Sequence, residues 1–204
     1  MSVIKTEKLE EIIAAIPLNN GRRIVAIAGA PASGKSTLAE ALGARIPNSR
    51  VIPMDGFHRD NDDLERAGLL ARKGAAETFD VAGFSSVIRS LRSNEDLPFP
   101  TFDRENDCVV PGGGRVTAHD ETILVEGNYL LLDQPHWRDL AAEWDYSILI
   151  DIPIGVLRDR LVQRWLDHGH DAAAALARAE GNDLRNARHL MDHVIPPDMT
   201  ISAS

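Results

Sequence analysis

Apolar positions along the chain follow two rhythms. Short runs of consecutive apolar, often β-branched residues alternate with longer stretches in which apolar residues return every three or four positions. These are the patterns of buried strands and of amphipathic helices. In the first helical stretch Leu9, Ile12, Ile13 and Ile16 share a face, and Pro17 ends it. Asn19-Asn20-Gly21 predicts a turn. Strands are predicted over 23–28, 50–54, 123–125 and 146–150, with a last short one starting at 193–195. Helices are predicted over 36–46, 81–91, 156–166 and 171–191. Apolar strands alternating with helices imply an α/β fold of three layers, a mostly parallel sheet covered on both faces. The stretch 98–115 breaks the rhythm. It sets Pro98, Pro100, Pro111 and Gly112-Gly113-Gly114 between two β-like pieces, which predicts a β-hairpin flap over about 98–117 rather than a linker.

Composition narrows the class. With 204 residues, 44% of them apolar, the chain is long enough for one well-filled domain, 1–204. A net charge of −9 argues against nucleic acid or an anionic membrane surface as partner, since both need a broad basic face. Cys108 is the lone cysteine, so no internal disulfide and no multi-thiolate metal site can form, which fits a reducing cytoplasm. The first sixteen residues carry Lys5, Glu7, Lys8, Glu10 and Glu11 instead of an apolar leader core. No apolar run approaches the ~18 residues of a membrane-spanning helix.

The chemistry begins where the first apolar strand gives way to a helix. Gly29-Ala30-Pro31-Ala32-Ser33-Gly34-Lys35-Ser36 fits G-x-x-x-x-G-K-[ST] at every fixed position, and Thr37 continues into the helix. The glycines let the backbone curl its N–H groups around phosphate oxygens, and the helix N-terminus adds a partial positive charge. Lys35 supplies a point charge to the terminal phosphates, and the Ser36 hydroxyl is placed to ligate Mg²⁺. Three predicted strands deliver an acid to the same sheet edge: Asp55, Glu126 and Asp151. Phosphoryl transfer needs one carboxylate for the metal and one to accept the proton of the attacking hydroxyl. Glu126 is assigned to the metal. Asp55, which opens a loop with Gly56, Phe57 and His58, is assigned as base, with a cap or turn role as its alternative. Asp151 either orients a helix start or joins the site. Arg158, Arg160 and Arg164 lie on one predicted helix, Arg160 and Arg164 on one face of it. They are read as a lid over 154–171 that stabilises the migrating phosphoryl, or else as a solvated basic face.

The Walker motif, Met54-Asp55-Gly56-Phe57-His58, Thr78-Phe79-Asp80 and Val125-Glu126-Gly127-Asn128-Tyr129 occur in this order. Together they resemble the phosphoribulokinase/uridine kinase/bacterial pantothenate kinase family of P-loop kinases over about 23–195. The resemblance implies ATP as donor with Mg²⁺, Asp55 as catalytic base beside Lys35, and Glu126 with Ser36 at the metal. It also implies lid arginines at Arg160 and Arg164, and substrate contacts from His58, Asp80, Asp103 and Arg104. The acceptor it implies is a small hydroxylated metabolite, a sugar or related polyol in the subgroup that this chain is most similar to, and the relatives' habit extends to a homodimer. The rival reading is a nucleotide-dependent switch with no small-molecule acceptor. Against that rival, the chain lacks both an Asn-Lys-x-Asp guanine-reading motif and an LSGGQ-like signature.

Overall fold

The computed structural model describes residues 6–18, 21–93 and 96–202. In chain order the elements are α1 (Thr6–Ala15), β1 (Arg23–Gly29), α2 (Lys35–Gly43), β2 (Ser49–Pro53), α3 (Asn61–Arg66), α4 (Val81–Ser90), β3 (Leu97–Asp103) and β4 (Cys108–Val116). There follow β5 (Thr122–Gly127), β6 (Tyr146–Asp151), α5 (Ile154–Asp167), α6 (Ala172–Arg178), α7 (Leu184–Asp192) and β7 (Met199–Ser202). Asn19 and Asn20 of the expected turn lie outside the described residues; Gly21 has the left-handed φ of 113° that a turn of this kind uses.

Five strands form one sheet in the order β2-β5-β1-β6-β7, parallel throughout. Alternate side chains of β1 feed two cores. Ile24, Ala26 and Ala28 join one with Ile52, Phe84 and Trp137; Val25 and Ile27 join the other with Leu38, Leu42 and Leu157. A central strand buried on both faces has no use for polar positions, which is why β1 reads as an unbroken apolar run. Helices α1, α2 and α5 cover the second core, and α4 with the 128–144 segment covers the first.

The structure corrects the predicted elements in two places. Residues 193–195 make only an isolated antiparallel bridge, Leu132 to Val194, and the last strand is β7, paired parallel with β6. With four residues alternating between half-buried and exposed, β7 carries too little apolar signal to be seen in the sequence. The predicted helix 171–191 is instead α6 and α7 joined by one π-helical turn, Ala179–Asp183.

The flap is real. β3 and β4 pair antiparallel, with a register shift between Phe99 and Thr101. Its glycine run is strand rather than irregular loop. A Cβ on Gly114 would lie 2.3 Å from the Phe99 ring, so the missing side chain makes room for that ring to fold into the core. A buried strut holds the opposite end of the sheet. Arg22, 6% exposed, donates to the carbonyls of Asp120 (2.8 Å), Leu91 (3.0 Å), Ser93 (2.7 Å) and Thr117 (2.7 Å). It ties the start of β1 to the end of α4 and to the loop before β5.

Candidate active site

The carboxyl ends of β1, β2 and β5 open into a cleft of about 1640 Å³. In open parallel sheets this is where ligands bind. Residues 31–37 form one wall. The loop turns on two left-handed residues, Ala32 (φ 63°) and Gly34 (φ 98°), and Ser33 N–H donates to the Ala30 carbonyl at 3.1 Å. Gly34 is also the N-cap of α2 and brings no side chain to it, so the first-turn amides face the cleft without a capping oxygen. Ser33 Oγ is buried with no partner in the protein. A concave loop with orphaned donors and a helix N-terminus behind it fits a polyphosphate.

Lys35 leaves the loop half-buried. Burial pushes its ammonium below the ordinary lysine range, opposed by the charges of Glu126 and Asp55. Phosphate oxygens in the cleft would supply the missing counter-charge. Ser36 Oγ donates to Glu126 Oε1 at 3.1 Å. Glu126 is the penultimate residue of β5, in register with Ile27 and Pro53, and only 4% exposed. Burial raises its pKa, and Asp55 adds to that, while Lys35 and the Ser36 hydrogen bond oppose it. Its second oxygen, Oε2, is buried without a partner, as is Asn128 Oδ1 two residues on. A costly buried carboxylate with one oxygen unspent fits a divalent cation or its water. Among the described residues no cluster of three His, Cys, Asp or Glu side chains could enclose a metal alone, so Mg²⁺ here would share its shell with Ser36, phosphate and water.

The acceptor side is built by close backbone approach. Residues Met54–Phe57 form a 3₁₀ turn directly after β2. A Cβ on Gly56 would fall 2.0 Å from the Pro100 carbonyl oxygen, so glycine there is what lets the flap lie on this turn. A Cβ on Gly127 would meet the Met54 side chain at 2.5 Å. The two glycines of the Asp-Gly-Phe-His and Glu-Gly-Asn segments thus press β5, the turn and the flap together, with Asp55 between them. Asp55 is 22% exposed, and its Oδ2 accepts from Arg104 Nη2 at 2.5 Å. His58 stacks on Phe79 (centroids 4.2 Å apart) and leans on Phe102 (4.9 Å). Burial pushes its imidazole down to about 4, Lys73 and Arg104 acting the same way and Asp55 and Asp107 opposing, and its Nδ1 has no partner. His58 is therefore a neutral group lining the cleft.

The lid arginines divide. Arg160 donates to the P-loop carbonyls of Ala32 (3.3 Å) and Ser33 (3.4 Å) and braces the loop. Arg164 is half-buried in the cleft wall beside Trp165, 5.7 Å from that ring. Arg158 is exposed and pairs with Glu180 at 3.0 Å. Two expected substrate residues lie elsewhere. Asp80 does not line the cleft; its carboxylate caps α4 by accepting from the Gly83 amide at 2.9 Å. Asp103 is spent on the hairpin turn, accepting from the amides of Glu105 and Asn106, both at 3.0 Å, and from the Asn106 side chain at 2.7 Å. Asp151 ends β6 outside the cleft lining.

Other residues also line the cleft: Lys73, Arg178, and Asn182 and Asp183 of the π-helical turn, with Asn182 Nδ2 donating to the Lys73 carbonyl at 2.9 Å. Arg178 lies over the Trp165 ring at 4.9 Å, while Trp165 Nε1 donates to Asp183 at 2.8 Å. Asn128 could have been found, since it belongs to the Glu-Gly-Asn segment. Lys73 in an irregular loop and Arg178 at the end of α6 leave no local pattern.

No family model matches the chain. It is similar to "Uncharacterized protein YggC" of Escherichia coli, 38% identical over 184 residues that cover 85% of this chain and 76% of that protein. It is similar to "Putative uridine kinase C227.14" of Schizosaccharomyces pombe, 32% identical over 195 residues, 88% of this chain and 83% of that one. A pantothenate kinase of Lactococcus lactis aligns at 28% over 187 residues, 57% of its own length. Among solved structures, that of a "putative fructose transport system kinase" from Silicibacter sp. superposes with a TM-score of 0.88 at 48% identity, covering 96% of this chain and 97% of that one.

Proposed function

The chain belongs to the phosphoribulokinase/uridine kinase/bacterial pantothenate kinase family of P-loop kinases and is an ATP-dependent small-molecule kinase, and we propose that its acceptor is a hydroxyl of a small sugar-like polyol, with Asp55 as general base. The observation that carries this is the close grouping of Lys35, Ser36, Glu126 and Asp55 at one end of the sheet, with Glu126 bonded to Ser36 and both acids acting on Lys35. A sugar-like acceptor also agrees with the name of the Silicibacter kinase.

In this reading residues 29–37 hold the triphosphate of ATP, the loop amides and Lys35 taking the phosphate oxygens. Ser36 and Glu126 would hold Mg²⁺, which would supply positive charge to offset that of the phosphates. Asp55 accepts the proton of the acceptor hydroxyl as its oxygen bonds to the γ-phosphorus and ADP departs. Arg160 keeps the loop in shape, and Arg164 meets the charge of the transferred group. The flap, about 98–117, and the helical lid, about 154–171, exclude water, which would otherwise be the acceptor. His58, Phe79 and Phe102 give the acceptor pocket apolar faces. No helix of the described residues is long and apolar enough to cross a membrane, and Cys108 is exposed and free; both suit a cytoplasmic enzyme.

ADP release measured against a panel of polyols, sugars and their acids tests the reading. One class should stimulate release, and Asp55→Asn should lose that stimulation by ~10²–10⁴-fold while keeping its affinity for an ATP analogue. If no small hydroxylated compound stimulates release, or if Asp55→Asn keeps near wild-type transfer, the reading fails.

A further inference from the structure

We propose that Arg104 caps the catalytic base, and that the acceptor must bring its own carboxylate or phosphate to draw this arginine off Asp55. The proposal rests on Asp55 being the base, as read above. It makes Arg104 at once the specificity residue for an anionic acceptor and a brake on ATP hydrolysis.

The geometry supports both roles. Arg104 opens the turn between β3 and β4, at the tip of the flap. The turn is rigid where it needs to be. Asp103 clamps it from within through Glu105 and Asn106. Asp107 anchors it to the body of the protein, accepting from Lys73 Nζ at 2.8 Å and Asn61 Nδ2 at 2.9 Å. Arg104 is thus delivered to one place, and there Nη2 meets Asp55 Oδ2. No other side-chain hydrogen bond of Asp55 occurs among the described residues, and none of Arg104 either. The lone pair that should receive a proton is occupied, while most of the guanidinium fork remains unspent. The arginine side chain is 61% exposed, so it can swing without disturbing the core.

The other cations on the acceptor side cannot take an anion so readily. Arg72 is paired with Glu77 at 2.5 Å, and Lys73 is held by Asn61 at 2.7 Å as well as by Asp107. An anionic group entering the pocket would therefore find Arg104 as its partner, in the bidentate manner that guanidinium favours. Asp55 and Arg104 are neighbours, so a hydroxyl held by one and an anion held by the other can belong to one small molecule. A compact hydroxy acid or a short sugar phosphate meets this requirement. The sugar-like polyol read above must therefore carry such a group; a polyol without one reaches the pocket but leaves the cap in place, and so does water. The flap arginine thus links the choice of acceptor to protection of ATP.

The test needs no knowledge of the natural acceptor. ADP release by the full chain with Mg²⁺ and ATP, without acceptor, reads out attack by water. Propionate, and separately inorganic phosphate, should each be added as a hydroxyl-free anion. Wild type should respond to at least one with about a fivefold rise, the scale of releasing a partly exposed ion pair. Arg104→Ala should already run at the raised rate and respond to neither. A response to propionate alone points to a hydroxy acid, and one to phosphate alone to a phosphorylated acceptor. Asp55→Asn placed on Arg104→Ala should erase the gain. A silent wild type, a slower Arg104→Ala, or a gain that survives Asp55→Asn would each overturn the proposal. Failure of the kinase reading itself would show separately, as ADP release indifferent to every hydroxylated compound.

Discussion

Gly56 offers a sharp test of how the acceptor pocket is assembled. A methyl group there would sit 2.0 Å from the Pro100 oxygen, 2.6 Å from the Pro100 carbonyl carbon and 3.1 Å from Thr101 Cα. All three are backbone atoms, so no rotamer change can relieve the contact. Side-chain carbons essentially never come within 3.0 Å of such atoms, so in Gly56→Ala the flap must retreat by at least about 1 Å. The φ of Gly56 is not positive, so alanine suits the turn itself and the fold should survive. Overpacking of this kind costs about 1–3 kcal/mol, a few degrees of melting temperature for a chain of this size.

The functional cost should be larger than the structural one. The strand that moves carries Phe102, and the turn beyond it carries Arg104; both line the cleft with Asp55 and His58. A misplacement of about 1 Å at reacting groups lowers catalysis by ~10²-fold. The atoms nearest to such a methyl group all belong to the flap, not to the P-loop, so nucleotide affinity should hold. Calorimetric titration with an ATP analogue and acceptor-dependent ADP release separate the two. The expected result is unchanged nucleotide affinity, kcat/KM for the acceptor reduced ~10²-fold, and a modest drop in melting temperature. If transfer stays within about threefold of wild type, or if nucleotide affinity falls in parallel, the flap does not shape the acceptor site as argued.

Three further outcomes are expected. Glu126→Gln keeps a partner for Ser36 but removes the anionic metal oxygen, so the Mg²⁺ concentration for half-maximal rate should rise by ~10–100-fold, while the ligand-free protein melts no lower because a buried charge is gone. Arg22→Ala strips donors from four carbonyls, which should cost about 3 kcal/mol or more in urea unfolding with little effect on nucleotide binding. For His58 the folded-state pKa, about 4, lies below the free value of 6.5, so its stabilising contribution is complete above about pH 6.5 and is lost as the pH falls toward 4. Over that window wild type should lose up to ~3 kcal/mol more than His58→Gln; parallel pH–stability curves would show that the ring is not held neutral.

What the sequence revealed, and what it hid, follows from a competition between local and distant partners. The P-loop was legible because its spacing is itself the geometry: eight consecutive residues make the loop, and two of its positions need left-handed backbone. Glu126 and Asp55 were legible because a strand ending in an acid delivers it to the sheet edge whatever lies further along the chain. Asp80 and Asp103 were suggested by the family resemblance rather than by a strand ending in an acid, and neither lines the cleft. Their fate is decided by amides two or three residues ahead: Gly83 for Asp80, and Glu105 and Asn106 for Asp103. A carboxylate that can satisfy itself on its own helix start or turn has little free energy to gain from a substrate hydroxyl. Asp55 escapes that fate, since the amide that closes its turn, His58 N–H, goes to the Asp55 backbone carbonyl at 3.2 Å and leaves the side chain to Arg104, 49 residues away. Arg178 was hidden for the converse reason. It is the last residue of α6, and it reaches the cleft beside Trp165 of α5, a distant partner that no pattern in its own segment records. Among acids at strand ends, then, the ones to suspect of chemistry are those without an amide of their own to cap.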